Sequence, residues 1–146
     1  MNIEIGLGPD RQIFEDDEDG SQYLFCRTIF VGGKKNGDDF SESNQLALGF
    51  WTIAMYEQQW REGLERIKTH DTSCLIVSIQ DPEEFPFINS WILHKIGRKI
   101  HIQNRLFFDK TYQTVIGNKL IVPSHCYDIL IQPREINDVS EWVVAL

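Results

Sequence analysis

Between Trp51 and Asp71 the apolar residues Ile53, Tyr56, Trp60, Leu64 and Ile67 recur every three or four positions, the spacing that lines one stripe of an α-helix. Glu57, Gln58, Arg61, Glu62, Glu65, Arg66 and Lys68 fall mostly on the opposite side. Thr52 is placed as the N-cap, since its hydroxyl can accept a backbone N–H left free in the first turn. Lys68 and His70 sit in the last turn, where the negative end of the helix dipole favours positive charge. About sixteen helical residues reach about 24 Å, enough to cross the face of a small sheet. A stripe carrying Tyr and Trp predicts burial against that sheet rather than a binding face.

On either side of this segment the period shortens towards two. Residues 2–7 alternate as a short strand stopped at Gly8-Pro9, and Arg11–Phe14 follows as a second short strand. Gln22–Val31, rich in aromatic and β-branched residues, is a strong strand. Gly32–Gly37 reads as a turn with Asn36-Gly37 at its tip, and Asp39–Ser43 with Leu46–Leu48 form a weaker return. Ser73–Gln80 is a strand ended by Asp81-Pro82. Phe87–Ile96 and Lys99–Phe108 pair around Gly97-Arg98, with Ile96 opposite Lys99, Leu93 opposite Ile102 and Trp91 opposite Asn104. One face then carries Trp91, Leu93, Ile100, Ile102 and Leu106 and is assigned to the core under the helix. The other carries Ser90, Ile92, His94, His101, Gln103 and Arg105 and is assigned to solvent. Residues 109–123 are a connector, Tyr127–Gln132 a last strand, and Glu135–Ala145 a closing helix with Ile136, Val139, Trp142 and Val143 at helical steps. Strands, a long helix, strands and a short helix describe an α+β domain.

A length of 146 residues fits one domain spanning 1–146, and 42% hydrophobic content with 12% aromatics supports a packed core rather than disorder. No apolar run approaches the roughly 20 residues of a membrane span, and the strand-like start with acidic residues after it is unlike a secretory signal. A cytoplasmic location is therefore expected. Cys26, Cys74 and Cys126 are far apart and odd in number, which argues against a disulfide framework or zinc knuckle, and Cys74 reads as a small core residue. The charge is uneven: residues 1–50 hold ten acids and four bases, a net of −6, whereas residues 51–146 hold twelve and ten, a net of −2. Such a field repels nucleic acid, whose binding rests on neutralising phosphates, and attracts a basic partner.

The residues suited to chemistry form no complete set. His94 and His101 face each other across the hairpin, but their neighbours Gln103 and Ser90 are poor metal ligands. His125 and Cys126, adjacent along an expected strand, would point to opposite faces. Gly6-Leu7-Gly8 precedes no helix, and Gly32-Gly33-Lys34 lacks the rest of a phosphate loop. Glu83-Glu84 read as solvated loop charge. No catalytic residue, cofactor or metal is expected, and the chain reads as a binding protein rather than an enzyme.

Phe50-Trp51, Tyr56, Trp60 and Leu64, then Thr72–Ser78, Trp91-Ile92-Leu93 and Ile100–Asn104 together resemble immunity proteins of bacterial contact-dependent growth inhibition systems. The resemblance implies a Whirly-like fold of two antiparallel sheet halves in the order strands–helix–strands–helix. It also implies a partner, the C-terminal toxin domain of the system's own exported effector, often a basic nuclease, neutralised by occlusion in the cytoplasm. Residues 1–49 lie outside the resemblance, and toxin specificity is expected to vary there. Glu15, Asp16, Asp17, Glu18 and Asp19, with Asp38, Asp39 and Glu42, are the candidate toxin-binding patch. The five-acid run reads equally as an ordinary solvated loop. Two other readings stand beside it: a nucleic-acid module, which the Whirly-like resemblance implies since such sheets bind single strands elsewhere, and a small enzyme built on His94 and His101. The net charge and the absence of a basic groove with interleaved aromatics oppose the first. Neither nucleic acid nor membrane is an expected partner, and nothing in the pattern sets an oligomeric state.

Overall fold

The computed structural model describes residues 3–15, 22–35, 37–80, 88–107, 124, 126–131, 133–136 and 140–145. In chain order these hold β1 (Ile3–Glu15), β2 (Gln22–Lys35), β3 (Asp38–Ala47), α1 (Ile53–Thr69), β4 (Thr72–Ile79), β5 (Ile88–Ile96), β6 (Lys99–Phe107), α2 (Cys126–Leu130) and β7 (Glu141–Ala145). All strand pairs are antiparallel, and the strands form one seven-stranded sheet in the order β1-β2-β7-β6-β5-β4, with β3 on the other side of β2. The two expected halves are present as β1–β3 and β4–β6, but β7 joins them into a single sheet.

The sheet curls until its free ends β3 and β4 approach. Ala47 N–H donates to Ser78 Oγ at 3.2 Å, and the buried Tyr56 hydroxyl donates to Ala47 O at 2.6 Å while accepting from Ile79 N–H at 3.0 Å. Inside the curl Trp91 of β5 and Trp142 of β7 meet edge to face, with centroids 5.8 Å apart.

Helix α1 runs as the periodicity predicts, capped by Thr52, whose Oγ1 accepts Met55 N–H at 3.3 Å. Tyr56, Trp60 and Ile67 of the stripe are buried, and so are Gln59 and Gly63 between them. This face lies against the outer edge of β4. Gln59 Nε2 donates to Cys74 O and Gln59 Oε1 accepts Ile76 N–H, both at 2.7 Å. Trp60 Nε1 donates to Ile76 O at 2.7 Å, and Arg66 Nε to Thr72 O at 3.2 Å. Gly63 permits the approach: a Cβ there would stand 2.5 Å from Cys74 O and 2.7 Å from Leu75 Cδ2. Helix α2 docks beside α1, with the Arg66 guanidinium 4.9 Å from the Tyr127 ring centre.

Several sequence expectations are corrected. β1 continues through Gly8-Pro9, with a register shift against β2 between Leu7 and Arg11. It is an end strand, so a proline within the irregularity removes no ladder bond on its outer side. Gly32–Lys35 belongs to β2 rather than to a turn; the two-residue tip lies between Lys35 and Asp38, and Asn36 is outside the described residues. At Gly33 (φ +72°) the strand shifts register, and β7 comes so close that a Cβ would lie 2.4 Å from Val143 O. The expected last strand Tyr127–Gln132 begins as helix α2, and the expected closing helix Glu135–Ala145 ends as strand β7. β7 is a strand because Trp142 and Val144 alternate inward while pairing with Ile102 and Ile100 of β6. The connector 109–123 and Glu83-Glu84 lie outside the described residues.

The hairpin β5–β6 has the expected register throughout. Leu106, however, is half-exposed, and Ser90, Ile92, His94 and Gln103 on the supposed wet face are buried. The backbone of Pro133 and Glu135 bonds Gln103 and Arg105 on that face, and Cys126 of α2 packs on Cys74, the register partner of Ile92.

Trp60 both fills the helix–sheet contact and satisfies a carbonyl of β4. Trp60→Ala should therefore cost about 3–5 kcal/mol, read as a lower denaturant midpoint. Gly63→Ala should cost about 1–3 kcal/mol through overpacking, despite the higher helix propensity of alanine. An unchanged midpoint for Gly63→Ala would mean that α1 does not sit this close to β4.

Candidate functional site

The acidic residues separate into groups. Glu15 ends β1 opposite Gln22 at the start of β2, whereas Asp38 and Asp39 open β3 opposite Lys35 and Lys34 at its end. A flat strand of this length would span about 40 Å at about 3.3 Å per residue, so the curled strand still sets Glu15 well apart from Asp38. Asp16, Asp17, Glu18 and Asp19 lie outside the described residues. Asp38 is exposed. Glu42 instead faces the inside of the curl: its Oε1 accepts from Asn104 Nδ2 at 3.3 Å, a bond between β3 and β6, which are not neighbours in the sheet. Among the described acids, then, Glu15 and Asp38 stand at opposite ends of β2 and Glu42 is turned inward.

His94 and His101 are partners in the β5–β6 register, as expected. They belong to a polar cluster centred on Glu141 of β7, which faces Gln103. Glu141 Oε1 lies 3.1 Å from His101 Nδ1 and 2.7 Å from Arg134 Nη2, while Oε2 accepts from Gln103 Nε2 at 2.7 Å and Arg134 Nε at 2.8 Å. Burial opposes ionisation of Glu141, but hydrogen bonds from Arg134, His101 and Gln103 outweigh it and lower the carboxyl pKa to about 2. Gln103 also clasps the backbone of Glu135, donating to its carbonyl at 2.6 Å and accepting its N–H at 3.1 Å. Burial, then the nearby Arg134 charge, lowers the His94 pKa against the opposing pull of Glu141, with Arg105 and His101 adding to the depression.

A histidine oriented by a carboxylate is half of an acid–base device. Here the carboxylate is neutralised by Arg134, and the hydrogen bonds of the cluster close on one another and on the crossing segment. Among the described residues no group of three or more His, Cys, Asp or Glu is placed to hold a metal. The cluster's geometry is that of a clamp fixing residues 133–136 to the sheet. Its members Arg134 and Glu141 went unnoticed in the sequence because they meet only once β7 pairs with β6.

Cys126 Sγ lies 3.4 Å from Cys74 Sγ, and both side chains are buried free thiols. Burial first, then the contact with Cys126, raises the Cys74 pKa well above its ordinary value, which keeps the sulfur a core thiol rather than a nucleophile. His125, the other half of the pair considered from sequence, lies outside the described residues.

The sequence profile of the CdiI N-terminal domain matches residues 46–146, more than half of the chain. The chain belongs to the CdiI N-terminal domain family. Over 72 residues it is 33% identical to the immunity protein CdiI of Enterobacter cloacae, an alignment covering 49% of this chain and 50% of that protein. It thus spans about half the length of the curated relative it matches. A chain of the CdiA-CT/CdiI toxin and immunity complex from Enterobacter cloacae shares its fold, with a TM-score of 0.70 and 23% identity over 99% of this chain and 90% of that one. The family match begins at the last two residues of β3, so it takes in α1, the β4 edge it covers and the whole polar clamp. No helix among the described residues is long and apolar enough to cross a membrane.

The clamp generates a pH prediction with a definite sign. A carboxyl whose folded pKa lies below its ordinary 4.5 contributes stability that is present above 4.5 and is lost as pH falls through about 2. His94, held neutral in the fold, removes stability as pH falls below its ordinary 6.5, where the unfolded chain takes up the proton. Urea midpoints from pH 7 to pH 2 should fall in both windows. Glu141→Gln should flatten the lower window and, by removing the charge that holds the His94 pKa up, deepen the upper one.

Proposed function

We propose that the protein is an immunity protein that binds the C-terminal toxin domain of its own contact-dependent growth inhibition effector and neutralises it by occlusion. The observation that carries this reading is membership of the CdiI N-terminal domain family, supported by the fold shared with a toxin–immunity complex. The protein acts by binding and not by catalysis; in support, Glu141 at the centre of its polar cluster is engaged by Arg134, His101 and Gln103. Its place of action is the cytoplasm, where an imported toxin would meet its substrate. The order of three strands, long helix, three strands, short helix and closing strand supports kinship with the Whirly fold.

The net charge of −8 favours a basic partner, and a nuclease, which must hold a polyanion, supplies a cationic cleft. An interface of about 1,600 Å² with complementary charge reaches nanomolar affinity with fast association. The acid run Glu15–Asp19 is the leading contact, with Asp38 and Asp39 as a second, separate one; Glu42 contributes through its bond to Asn104 rather than as open surface.

Co-expression with the toxin domain encoded immediately upstream should protect cells, and the purified pair should form a stable complex. Failure of both would remove the immunity reading. Replacing Asp16, Asp17 and Asp19 with Lys should slow association about tenfold or more at low salt, the scale of electrostatic steering. The difference should shrink at about 1 M salt, where the Debye length is about 3 Å, and stability should move by only a few tenths of a kcal/mol. A triple variant that associates as fast as the parent at low salt would show the run to be a solvated loop.

A further inference from the structure

We propose that the mouth of the curl, where β3 meets the start of β5 and the end of β6, is a socket for one cationic side chain, an arginine or lysine of the partner. The proposal rests on the immunity reading and adds an interior site distinct from the exposed acids.

The corner is built from the inner face of the sheet. Glu42 and Asn44, two residues apart on β3, point the same way. Two ties hold this strand in place: Glu42 Oε1 accepts from Asn104 Nδ2 of β6 at 3.3 Å, and Ala47 N–H donates to Ser78 Oγ of β4 at 3.2 Å. Asn44 lies between them. Asn104 is the register partner of Trp91, which stands inside the curl, and Asn89 shares that face of β5 two residues earlier. Ser78 pairs with Asn89 on one side, and Leu106 pairs with it on the other. Asn89 is 8% exposed but Leu106 is 50% exposed. A half-exposed leucine on an inner face marks where the curl opens to solvent. Asn89, Asn104 and Leu106 belong to the scaffold formed by the family-matched residues 46–146, whereas Glu42 and Asn44 precede it.

Among the described residues, Glu42 Oε2, Asn44 Nδ2 and Asn89 Oδ1 are buried polar atoms without a hydrogen-bond partner. Such atoms are nearly always paired in folded proteins, because each unpaired one loses its bonds to water without replacement. Gathered in one corner, they stabilise the fold poorly and suit a ligand well. Glu42 Oε2 and Asn89 Oδ1 are acceptors, and half a turn of the Asn44 amide presents its oxygen in place of Nδ2. The complementary group donates several N–H bonds and is positive, since a buried carboxylate bonded only to an amide gains most from a cation. That group must also arrive on a long apolar stem, because the acceptors lie below the surface and Leu106 lines the entrance. Arginine and lysine have this construction, an aliphatic stem with a cationic tip. The net charge of −8 brings a basic partner to the entrance.

The test measures stability and affinity together, with the toxin domain encoded immediately upstream as probe. Glu42→Gln keeps the size of the side chain and an acceptor for Asn104 but removes the charge. Its affinity should fall about tenfold or more, while its denaturant midpoint equals or exceeds that of the parent. Asn89→Leu removes an unpaired acceptor and should also raise the midpoint while weakening binding, and it decides the matter if Glu42→Gln does not fold. Methionine replacement of each arginine and lysine of the toxin should find one whose loss costs nothing further in the Glu42→Gln background. Affinity within about twofold of the parent in the folded variant, or no toxin residue coupled to Glu42, overturns the proposal. So does a lowered midpoint with unchanged affinity, which makes the cluster a structural tie alone. Agmatine at millimolar concentration probes a free amine as occupant. A melting temperature raised in the parent but not in Glu42→Gln, with toxin affinity equal in both, assigns the socket to a small molecule and overturns the partner side chain. A parent chain that does not bind the toxin domain removes the immunity reading and this occupant with it; equal binding by parent and variant removes the socket alone.

Discussion

Strand β4 stands at the end of the sheet, and its outward N–H and C=O groups require partners if that edge is to be buried. They find them in side chains of α1. Thr72 and Cys74 present carbonyls to Arg66 and Gln59, Ile76 presents both backbone groups to Gln59 and Trp60, and Ile79, past an irregularity in the β4–β5 ladder, presents its N–H to the Tyr56 hydroxyl. The helix thus does the work of a neighbouring strand, residue by residue. Its axial position is fixed by these bonds and its distance by Gly63. Remove the correspondence and the edge carries several unpaired buried groups, each costing about 1–3 kcal/mol.

The same correspondence closes the curl. Tyr56 reaches Ile79 of β4 and Ala47 of β3 with one hydroxyl, so the helix that covers one edge also holds the other beside it. Burial pushes this phenol far above its ordinary pKa, keeping it a neutral donor and acceptor across the working pH range. Opposite, β7 links the halves, entering against β2 where Gly33 leaves room. The sheet is therefore bounded by two devices that are conformational rather than hydrophobic: a hydroxyl at one seam and a missing Cβ at the other.

What was legible in the sequence was governed by local pattern. Helix α1 and its cap follow from spacing around Trp60, and the β5–β6 register follows from Gly97-Arg98, because a short turn leaves no freedom of alignment. Gln59 could have been read: a polar residue on an apolar stripe signals a buried partner. The swap of identities at the C-terminus could not. Residues 141–145 fit helical steps and strand alternation alike, an ambiguity inherent to short apolar runs. It is resolved by β6, about forty residues earlier in the chain, whose open edge β7 completes. At the candidate patch, β2 runs past the expected Val31 to Lys35, so Asp38 stands at the far end of that strand from Glu15, and the curl brings Glu42 to Asn104; neither follows from local pattern.

The polar clamp and the acidic strands also divide the electrostatics between them. In the scaffold, acids and bases nearly balance, and the pairs that are formed join neighbours: Arg134 with Glu141 at 2.7 Å, Arg105 with Glu135 at 3.7 Å, Lys68 with Glu65 at 2.7 Å. Paired charges cancel beyond about a Debye length, about 8–10 Å at ordinary ionic strength, so the scaffold projects little field. The uncompensated charge sits in the first fifty residues. A protein whose charge is spread evenly attracts a basic partner without orienting it; one whose charge is gathered at one end draws the partner towards that end. For the binding role proposed above, a scaffold held by the clamp and by the α1–β4 edge would leave less conformational freedom to be lost on docking, and more of the contact energy would become affinity.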